Sequence, residues 1–385
     1  KGIWEEADWD VALPAARDLL REVTGRHGAD QLAGLVSPFA TLEEQYMAQK
    51  LVRGLGSPHV EHRLRQLDFS DQAHAPVMPW LGQSIEQLES LDAALLVGSN
   101  VRKDQPLANH RLRKAAVGRG AQLSFLNPRR HDWNYPVHRE LVAAPEAMVD
   151  GLARVAVAVA ERAGASLPAG LGELAGGAPD EDHRAVAESL VAGGASTVLL
   201  GNLAQGHPAF ARLRALAAAT AQAAGARFGY LPDAGNACGG WLAGAVPHRG
   251  PAGSTIEREG LHAGGLLAEP RRGYLLLGVE PEFDMAESGR ALAAMQQAEA
   301  VVAVTPFTTD RMLQYADVIL PGSTFAETDG TLVNAEGLWQ DFAAAGSPPG
   351  DARPTWKILR VLANELGVDG FDYYAASELR RELKE

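Results

Sequence analysis

Short aliphatic runs alternate with stretches of helical periodicity along most of the chain. Residues 8–23 carry apolar side chains at the spacing of one helical face, and the aliphatic run 32–36 that follows has the length and composition of a buried strand. Further runs of this kind lie at 93–97, 122–126, 197–200, 274–277, 301–305 and 318–320. This alternation is typical of βα units, so the sequence predicts an α/β fold with two doubly wound, mainly parallel-sheet domains.

The residues between these runs indicate where helices begin and where domains divide. Thr41-Leu-Glu-Glu44 is a capping box that predicts a helix from Thr41 through Leu55, and the tail has two helical stretches, 353–367 and 375–385. Residues 164–182 are rich in Gly, Ala and Pro, so we predict a linker there between a first domain, 1–163, and a second, 183–352. The glycine-rich stretch 232–270 predicts a long loop covering part of the second domain.

Turn-forming and polar residues stand just after several predicted strands, at the edge where a doubly wound sheet gathers its ligand-binding loops. The positions that we expect to face a pocket there are Gly98, Asn100, Asn127, Asn202, Glu280 and Thr305. Gly, Asn and Pro are also what any strand-to-helix loop requires. Each position taken alone is therefore equally well explained by turn formation.

The densest polar stretch, 325–340, follows the last predicted strand and holds acids, amides and turn glycines. Its Glu327, Asp329 and Asn334 could hydrogen-bond to a pterin or a guanine, or could tie down their own loop. Residue chemistry alone favours the structural role.

Composition narrows the function classes. The chain has 385 residues and a net charge of −13, which argues against a groove that neutralises nucleic-acid phosphates. Its one cysteine, Cys238, cannot form an internal disulfide or hold an iron–sulfur cluster by itself, and the histidine pair His59 and His62 lacks further metal ligands in the sequence. No charge-free apolar run reaches the length of a membrane span. Because the chain begins at Lys1, we expect a soluble fragment of a longer polypeptide.

Several segments, taken in order, resemble the molybdopterin oxidoreductase family. They are Trp9-Asp-Val-Ala-Leu13, the stretch 41–57, Leu91-Asp-Ala-Ala-Leu-Leu-Val-Gly-Ser-Asn100, Leu123-Ser-Phe-Leu-Asn-Pro-Arg129, and a closing block, 315–356, that contains the pattern E-x-D-G-T-x-x-N-x-E-G-x-x-Q. The series covers nearly the whole chain. It implies two α/β domains like those of formate dehydrogenases and dimethyl sulfoxide reductases.

Two departures from the family pattern bear on chemistry. After the stretch 59–65, where active members carry a metal-ligating residue, the chain has no thiol, and Asp68, Ser70 or Asp71 could substitute in principle. Glu280 stands before Pro281 where many members have Asn, and a carboxylate near a phosphate opposes nucleotide binding. The resemblance therefore implies a vestigial cofactor pocket, with no catalytic residue, no metal and no molybdopterin in this segment.

The branch of the family with such departures is the large iron–sulfur subunit of bacterial NADH:quinone oxidoreductases, and 63–68 and 330–340 are similar to it. This resemblance implies 4Fe-4S and 2Fe-2S clusters on a region before Lys1, other peripheral-arm subunits as partners, and a peripheral location on the cytoplasmic face of the inner membrane. Two alternatives stay open: an active molybdopterin oxidoreductase such as a formate dehydrogenase, and a non-enzymatic scaffold or binding protein.

Overall fold

The computed structural model describes residues 3–385. In that range the chain forms two five-stranded parallel sheets, called sheet A and sheet B, and one small antiparallel hairpin. The strands are β1 (Leu32–Val36), β2 (Val60–Glu61), β3 (Ala93–Val97), β4 (Gln122–Asn127), β5 (Arg139–Val142), β6 (Ser196–Leu200), β7 (Arg227–Tyr230), β8 (Gly273–Leu277), β9 (Ala300–Thr305), β10 (Val318–Pro321), β11 (Gly330–Val333) and β12 (Trp339–Phe342).

Sheet A has the strand order β10-β9-β8-β1-β2. Leu32 pairs with Gly273 and Val36 pairs with Leu277, so β1 lies beside a strand from the far part of the chain. The strand order reverses between β1 and β8. Sheet A is therefore assembled from two stretches of sequence that are far apart.

Sheet B has the strand order β5-β4-β3-β6-β7, and its strands come from the continuous stretch 93–230. The order reverses between β3 and β6, and neighbouring strands are parallel throughout. Both sheets are doubly wound. The predicted α/β class with parallel sheets is confirmed.

Helices cover both sheets, and the predicted capping box is present: the Thr41 hydroxyl accepts a hydrogen bond from Glu44 N (3.2 Å), and Glu44 Oε2 accepts one from Thr41 N (2.8 Å). The helices are α1 (Trp9–His27), α2 (Leu42–Gly54), α3 (Val101–Asp104), α4 (Pro106–Arg119), α5 (Met148–Ala163), α6 (Glu181–Ala192), α7 (Asn202–Gln205), α8 (Phe210–Ala224), α9 (Ala237–Leu242), α10 (Ala263–Ala268), α11 (Pro281–Asp284), α12 (Ser288–Gln297), α13 (Met312–Tyr315), α14 (Thr355–Leu366) and α15 (Ala376–Lys384). The helices predicted from the sequence correspond to α1, α2, α14 and α15, and every predicted strand is present.

The predicted division at 164–182 does not coincide with the division between the sheets. This segment joins α5 to α6, which pack together on sheet B, and its Leu167, Leu171 and Leu174 pack against the same core. The chain instead passes from sheet A to sheet B in 62–92 and returns in 231–272. Composition was misleading because Gly, Ala and Pro interrupt helical periodicity even where the flanking helices share one core. The stretch 232–270 also contains two short helices, α9 and α10.

Both faces of the sheets are buried, which explains the continuous apolar runs in the sequence. In β8, Leu275 and Leu277 face one hydrophobic core, while Tyr274 and Leu276 face the core on the other side. Among the helices described, none combines the length and the hydropathy that a membrane span requires.

Candidate functional site

The carboxyl ends of the two sheets are built alike. Gly98 (φ +59°) follows β3 and Gly278 (φ +60°) follows β8, and each donates its N–H to a carbonyl of the neighbouring strand, at 2.8 and 2.9 Å. This left-handed backbone conformation favours glycine. Three residues after each glycine a four-residue helix begins, preceded by Asn100 in sheet B and by Glu280 in sheet A. The same backbone conformation therefore places an amide side chain before the short helix in sheet B and a carboxyl side chain before it in sheet A.

The loops after β4 and β9 also correspond, with Asn127 before a proline in sheet B and Thr305 before a proline in sheet A. Asn127 is buried, its Oδ1 accepts a hydrogen bond from Ser99 N (2.8 Å), and its Nδ2 donates to Ser99 O (3.0 Å). The Thr305 hydroxyl bonds only to the backbone of Phe307 among the described residues. Asn127 therefore fastens two loops of sheet B together, and Thr305 shapes a single loop.

The carboxyl rim of sheet B is basic. A cavity of about 260 Å³ there is lined by Asn100, Arg102, Lys103, Arg129, Arg130, His131 and Asp132. Arg102 donates to Asp132 Oδ2 (2.8 Å), whereas Lys103, Arg129 and Arg130 have no ion-pair partner within residues 3–385. Free guanidinium and ammonium groups are suited to phosphate or carboxylate oxygens.

The carboxyl rim of sheet A is acidic. Its cavity, about 440 Å³, lies among the loops after β1, β8, β9 and β10, and its charged groups are Glu44, Glu280 and Asp284. No Lys, Arg or His of the described chain lines it. Burial raises the pKa of Glu44 to about 7. Burial, and then the charges of Asp284 and Glu282, raise the pKa of Glu280. A ligand carrying phosphates would meet electrostatic repulsion at this rim.

A third cavity lies in the crevice between the sheets, with walls from both, and measures about 110 Å³. Arg63, which lines it, makes a bidentate pair with the fully buried Glu61 (Nε to Oε1 2.9 Å, Nη2 to Oε2 2.7 Å) and lies over the rings of Phe69 and Trp241. Burial opposes ionisation of Glu61, but the Arg63 charge and its hydrogen bonds hold the pKa of that carboxyl below its usual value. The crevice is small beside the roughly 300–1,000 Å³ of ordinary ligand pockets.

In the segment 66–71, where the family resemblance implies a metal ligand, the carboxylates accept hydrogen bonds from protein groups. Asp68 Oδ1 accepts hydrogen bonds from Ser70 N (3.0 Å) and Oγ (2.6 Å), and Asp68 Oδ2 accepts one from Ala211 N (2.9 Å). Asp71 Oδ2 accepts one from Arg214 Nε (2.8 Å). Partial burial opposes ionisation of Asp68, yet these bonds hold its pKa below its usual value. Both acids are engaged in fastening the segment to the start of α8.

Two further side chains that could ligate a metal are Cys238 and His62. Cys238 is buried, its thiol donates to Pro79 O (3.4 Å), and burial raises its pKa to about 12, so it is protonated at neutral pH. The buried His62 ring places Nδ1 2.8 Å from Ala245 O. Within residues 3–385 no group of three or more His, Cys, Asp or Glu side chains could hold a metal ion.

The closing block uses its polar side chains to hold itself together. Single carboxylate or amide oxygens of Glu327, Asp329 and Asn334 accept backbone N–H hydrogen bonds of 2.9, 2.8 and 2.9 Å within the block and its adjoining turns. Glu43, which sequence reasoning missed, accepts hydrogen bonds from Thr331 N (2.9 Å) and Oγ1 (2.6 Å). Its signal in the sequence was a second acid in the first turn of α2, beside the capping box. The block is fastened to sheet A through that buried acid.

The candidate residues consequently fall in four places. Gly98, Asn100 and Asn127 build the rim of sheet B, Asn202 lines the crevice, Glu280 and Thr305 line the cavity of sheet A, and Glu327, Asp329 and Asn334 hold the closing block. At the crevice, Asn202 accepts a hydrogen bond from Gln105 Nε2 (3.2 Å) and donates to Asp233 (3.3 Å). The structure does not bring the nine residues to one pocket.

Sequence reasoning also missed an aromatic rim. A phenylalanine occurs a few residues after each of four strands of sheet A, and all four are strongly exposed: Phe39, Phe283, Phe307 and Phe325. The recurrence after successive strands was a usable signal, because an apolar residue in an exposed loop has no packing reason to repeat there.

Comparisons with known proteins agree with this architecture. The family model for molybdopterin oxidoreductases matches residues 1–365. NADPH-Fe(3+) oxidoreductase subunit alpha of Geobacter sulfurreducens is 27% identical over 94% of this chain and 48% of its own length. A putative formate dehydrogenase of Staphylococcus aureus is 25% identical over 99% of this chain and 44% of its own length. The chain spans about half the length of these curated relatives.

Two solved structures share the fold at low sequence identity. One is the formyltransferase/hydrolase complex of Methylorubrum extorquens with methylofuran (TM-score 0.64, 16% identity, 94% of this chain and 96% of that one). The other is acetylene hydratase from Pelobacter acetylenicus (TM-score 0.64, 16% identity, 98% of this chain and 61% of that one).

Proposed function

The chain belongs to the molybdopterin oxidoreductase family, and we propose that it is the molybdopterin-like portion of the large iron–sulfur subunit of a bacterial NADH:quinone oxidoreductase. In this role it is a scaffold of the peripheral arm on the cytoplasmic face of the membrane. It carries no molybdopterin and no electron carrier of its own. The whole enzyme would pass electrons from NADH to quinone and couple that transfer to proton movement.

The observation that carries this proposal is the state of the crevice. Arg63 lines the crevice and is paired with the fully buried Glu61, and Asp68 and Asp71 are hydrogen-bonded to protein groups. A crevice of about 110 Å³ leaves little room for a dinucleotide cofactor. These features support a scaffold that kept the fold of the family and gave up its reaction centre.

The proposal assigns the electron carriers to regions outside this chain. Iron–sulfur clusters need several thiolates. The chain has one cysteine, Cys238, and its buried thiol is protonated at neutral pH. The 4Fe-4S and 2Fe-2S clusters of such a subunit would therefore lie in the part of the protein before Lys1. The neighbouring peripheral-arm subunits would be its partners.

Native purification tests the proposal. We expect the tagged full-length protein, extracted from membranes with mild detergent, to migrate in native electrophoresis with an activity that oxidises NADH and reduces quinone. Elemental analysis should find iron but molybdenum and tungsten far below one atom per chain. An untagged strain is the control. Migration as a free protein, or stoichiometric molybdenum or tungsten, would contradict the proposal.

A second candidate, an active molybdopterin oxidoreductase, is favoured by the relatives named as formate dehydrogenases. It predicts bound molybdenum or tungsten, held through Asp68, Ser70 or Asp71. Replacing Asp68 and Asp71 by Ala would then remove the metal from the purified protein. If the wild-type protein contains no such metal, this candidate fails before any variant is made.

A further inference from the structure

The rim of sheet A carries four strongly exposed phenylalanine rings. Phe39, Phe283, Phe307 and Phe325 are 63–72% exposed, whereas every other phenylalanine in residues 3–385 is buried or half-buried. Three of the four line the mouth of the 440 Å³ cavity. Clustered exposed aromatic rings mark surfaces that become covered, because aromatic residues are enriched in the buried centres of interfaces.

The cavity beneath these rings lacks a positive charge. It holds the carboxyl groups of Glu44, Glu280 and Asp284 and no basic side chain of the described residues. The Glu280 carboxylate has no hydrogen bond and no ion pair within residues 3–385, and it lies beside the like charges of Asp284 and Glu282. An unpaired carboxylate beside two further acids favours the approach of a cation.

A buried hydroxyl at the same cavity independently indicates a missing ligand. Ser323 is 7% exposed and lines the cavity, and its Oγ has no hydrogen-bond partner. A polar atom that is removed from water without a partner costs free energy, and such atoms are uncommon in folded proteins. The Ser323 hydroxyl could accept a hydrogen bond from an N–H donor that enters the cavity.

We propose that this cavity receives a lysine or arginine side chain from a partner protein, with the phenylalanine rings packed around it. The faces of aromatic rings attract cations, and the carboxylates supply the opposite charge. A nucleotide fits poorly because its phosphates would meet the same carboxylates. The exposed rings extend beyond the cavity and provide apolar contact for the protein surface that carries the basic side chain. This inference goes beyond the proposed function and does not depend on which enzyme the chain serves.

Titration of the intact protein with small peptides tests the inference. The probes are acetyl-Ala-Lys-Ala-amide, its arginine counterpart, and the norleucine counterpart that has the same length without the charge. We expect the charged peptides to bind and the norleucine peptide to bind at least roughly tenfold more weakly, as expected for loss of a charge-assisted contact. Glu280→Gln should weaken binding of the charged peptides roughly tenfold. Phe307→Ala and Phe325→Ala should each weaken it about two- to fivefold.

Two control variants and two further probes complete the design. Glu188→Gln removes an exposed acid on α6, the helix that packs on sheet B, and Tyr374→Ala removes an exposed ring outside the cavity lining. Both should leave the dissociation constants unchanged. Circular dichroism confirms that each variant is folded. The inference would be overturned if no charged peptide binds, or if the norleucine peptide or free tetramethylammonium binds as tightly as the charged peptides. Binding of guanosine monophosphate at this rim would also overturn it.

Discussion

The two sheets place different side chains on the same backbone at their carboxyl rims. Residues 100–104 read Asn-Val-Arg-Lys-Asp in sheet B, and residues 280–284 read Glu-Pro-Glu-Phe-Asp in sheet A. Residues 127–130 read Asn-Pro-Arg-Arg, and residues 305–308 read Thr-Pro-Phe-Thr. The glycine, the short helix and the strand pairing recur, while the side chains after them change from basic to acidic and aromatic. The backbone of a doubly wound rim therefore does not determine what the rim can bind.

The contrast extends to the charge of the whole molecule. Residues 101–134 contain eight Lys or Arg and two Asp, a net charge of +6 in a chain whose total is −13, so the other residues together carry −19. Four of these eight, Arg102, Lys103, Arg129 and Arg130, line the rim cavity of sheet B. Arg111 and Lys114 pair with Glu89, and Arg119 pairs with Asp92, away from that cavity. Electrostatic attraction will direct anionic groups to sheet B and cationic groups to sheet A.

The largest expected difference between the rims concerns their glycines. A Cβ at Gly98 would lie 2.4 Å from Ala204 N, whereas at Gly278 its nearest neighbour would be Ser37 Cβ at 3.4 Å. Both have positive φ, so alanine adds strain of about 1–2 kcal/mol at either site. Gly98→Ala also meets a backbone atom, and we expect its total loss of unfolding free energy to exceed about 4 kcal/mol. Urea denaturation of both variants measures the difference, and equal losses would mean that the two loops are packed alike.

The next largest expected difference between the rims is in how their acids make stability depend on pH. Glu44 has a pKa of about 7 in the folded protein against an ordinary 4.5, so its contribution to stability is complete below about 4.5 and is lost as the pH rises through 7. The loss amounts to about 3 kcal/mol. Relative to the wild type, Glu44→Gln should therefore gain stability between pH 5 and 8, while Glu188→Gln on α6 should not. Denaturation midpoints across that pH range measure this, and parallel curves for wild type and Glu44→Gln would refute it.

A smaller effect is expected from the second pair of loops. Asn127→Ala would leave the backbone N–H and C=O of Ser99 without partners inside the protein, which should cost about 2–3 kcal/mol. Thr305→Ala removes a bond within one loop and should cost about 1 kcal/mol or less. Thermal unfolding of the two variants compares them directly. A larger loss for Thr305→Ala would show that the sheet A loops are joined in a way that the hydrogen bonds do not reveal.

The smallest effect comes from exchanging the residues that begin the short helices. Glu280→Asn relieves repulsion from Asp284 and Glu282 and should raise the unfolding free energy by about 0.5 kcal/mol. Asn100→Glu places an acid among Arg102 and Lys103 and should be neutral within about 0.5 kcal/mol. Equal and opposite changes at the two sites would indicate that the surrounding charges do not matter.

The sequence was sufficient for seven of the twelve strands and insufficient for their grouping. The aliphatic runs predicted the central strands because strands buried on both faces are apolar throughout. The grouping failed because β3 and β6 pair across the Gly- and Ala-rich stretch 164–182, whereas β1 pairs with β8. Nothing in the local pattern of a parallel strand specifies its neighbour.

The sequence predicted where the candidate residues lie along the chain, but not which groups their side chains would bond to. The rim positions were correctly placed after the strands, since turn residues mark strand ends. Which group each side chain would bond to depended on distant residues: Asn127 reaches Ser99, and Asp71 reaches Arg214 on another element. The Glu61–Arg63 pair was also out of reach because two charges separated by one residue are common on surfaces and here are fully enclosed.

The pairing of β1 with β8 also affects the order in which the chain can fold. Sheet B is formed by consecutive strands, so its contacts are comparatively local and can form during synthesis once residue 230 has emerged. Sheet A must wait for β8, and its first strand remains exposed until then. During that interval β1 presents an unpaired apolar edge. We therefore expect chaperone dependence and aggregation during expression to depend on β1 and β2, the two strands of sheet A that are made before sheet B. Sheet B, whose strands are consecutive, should contribute less.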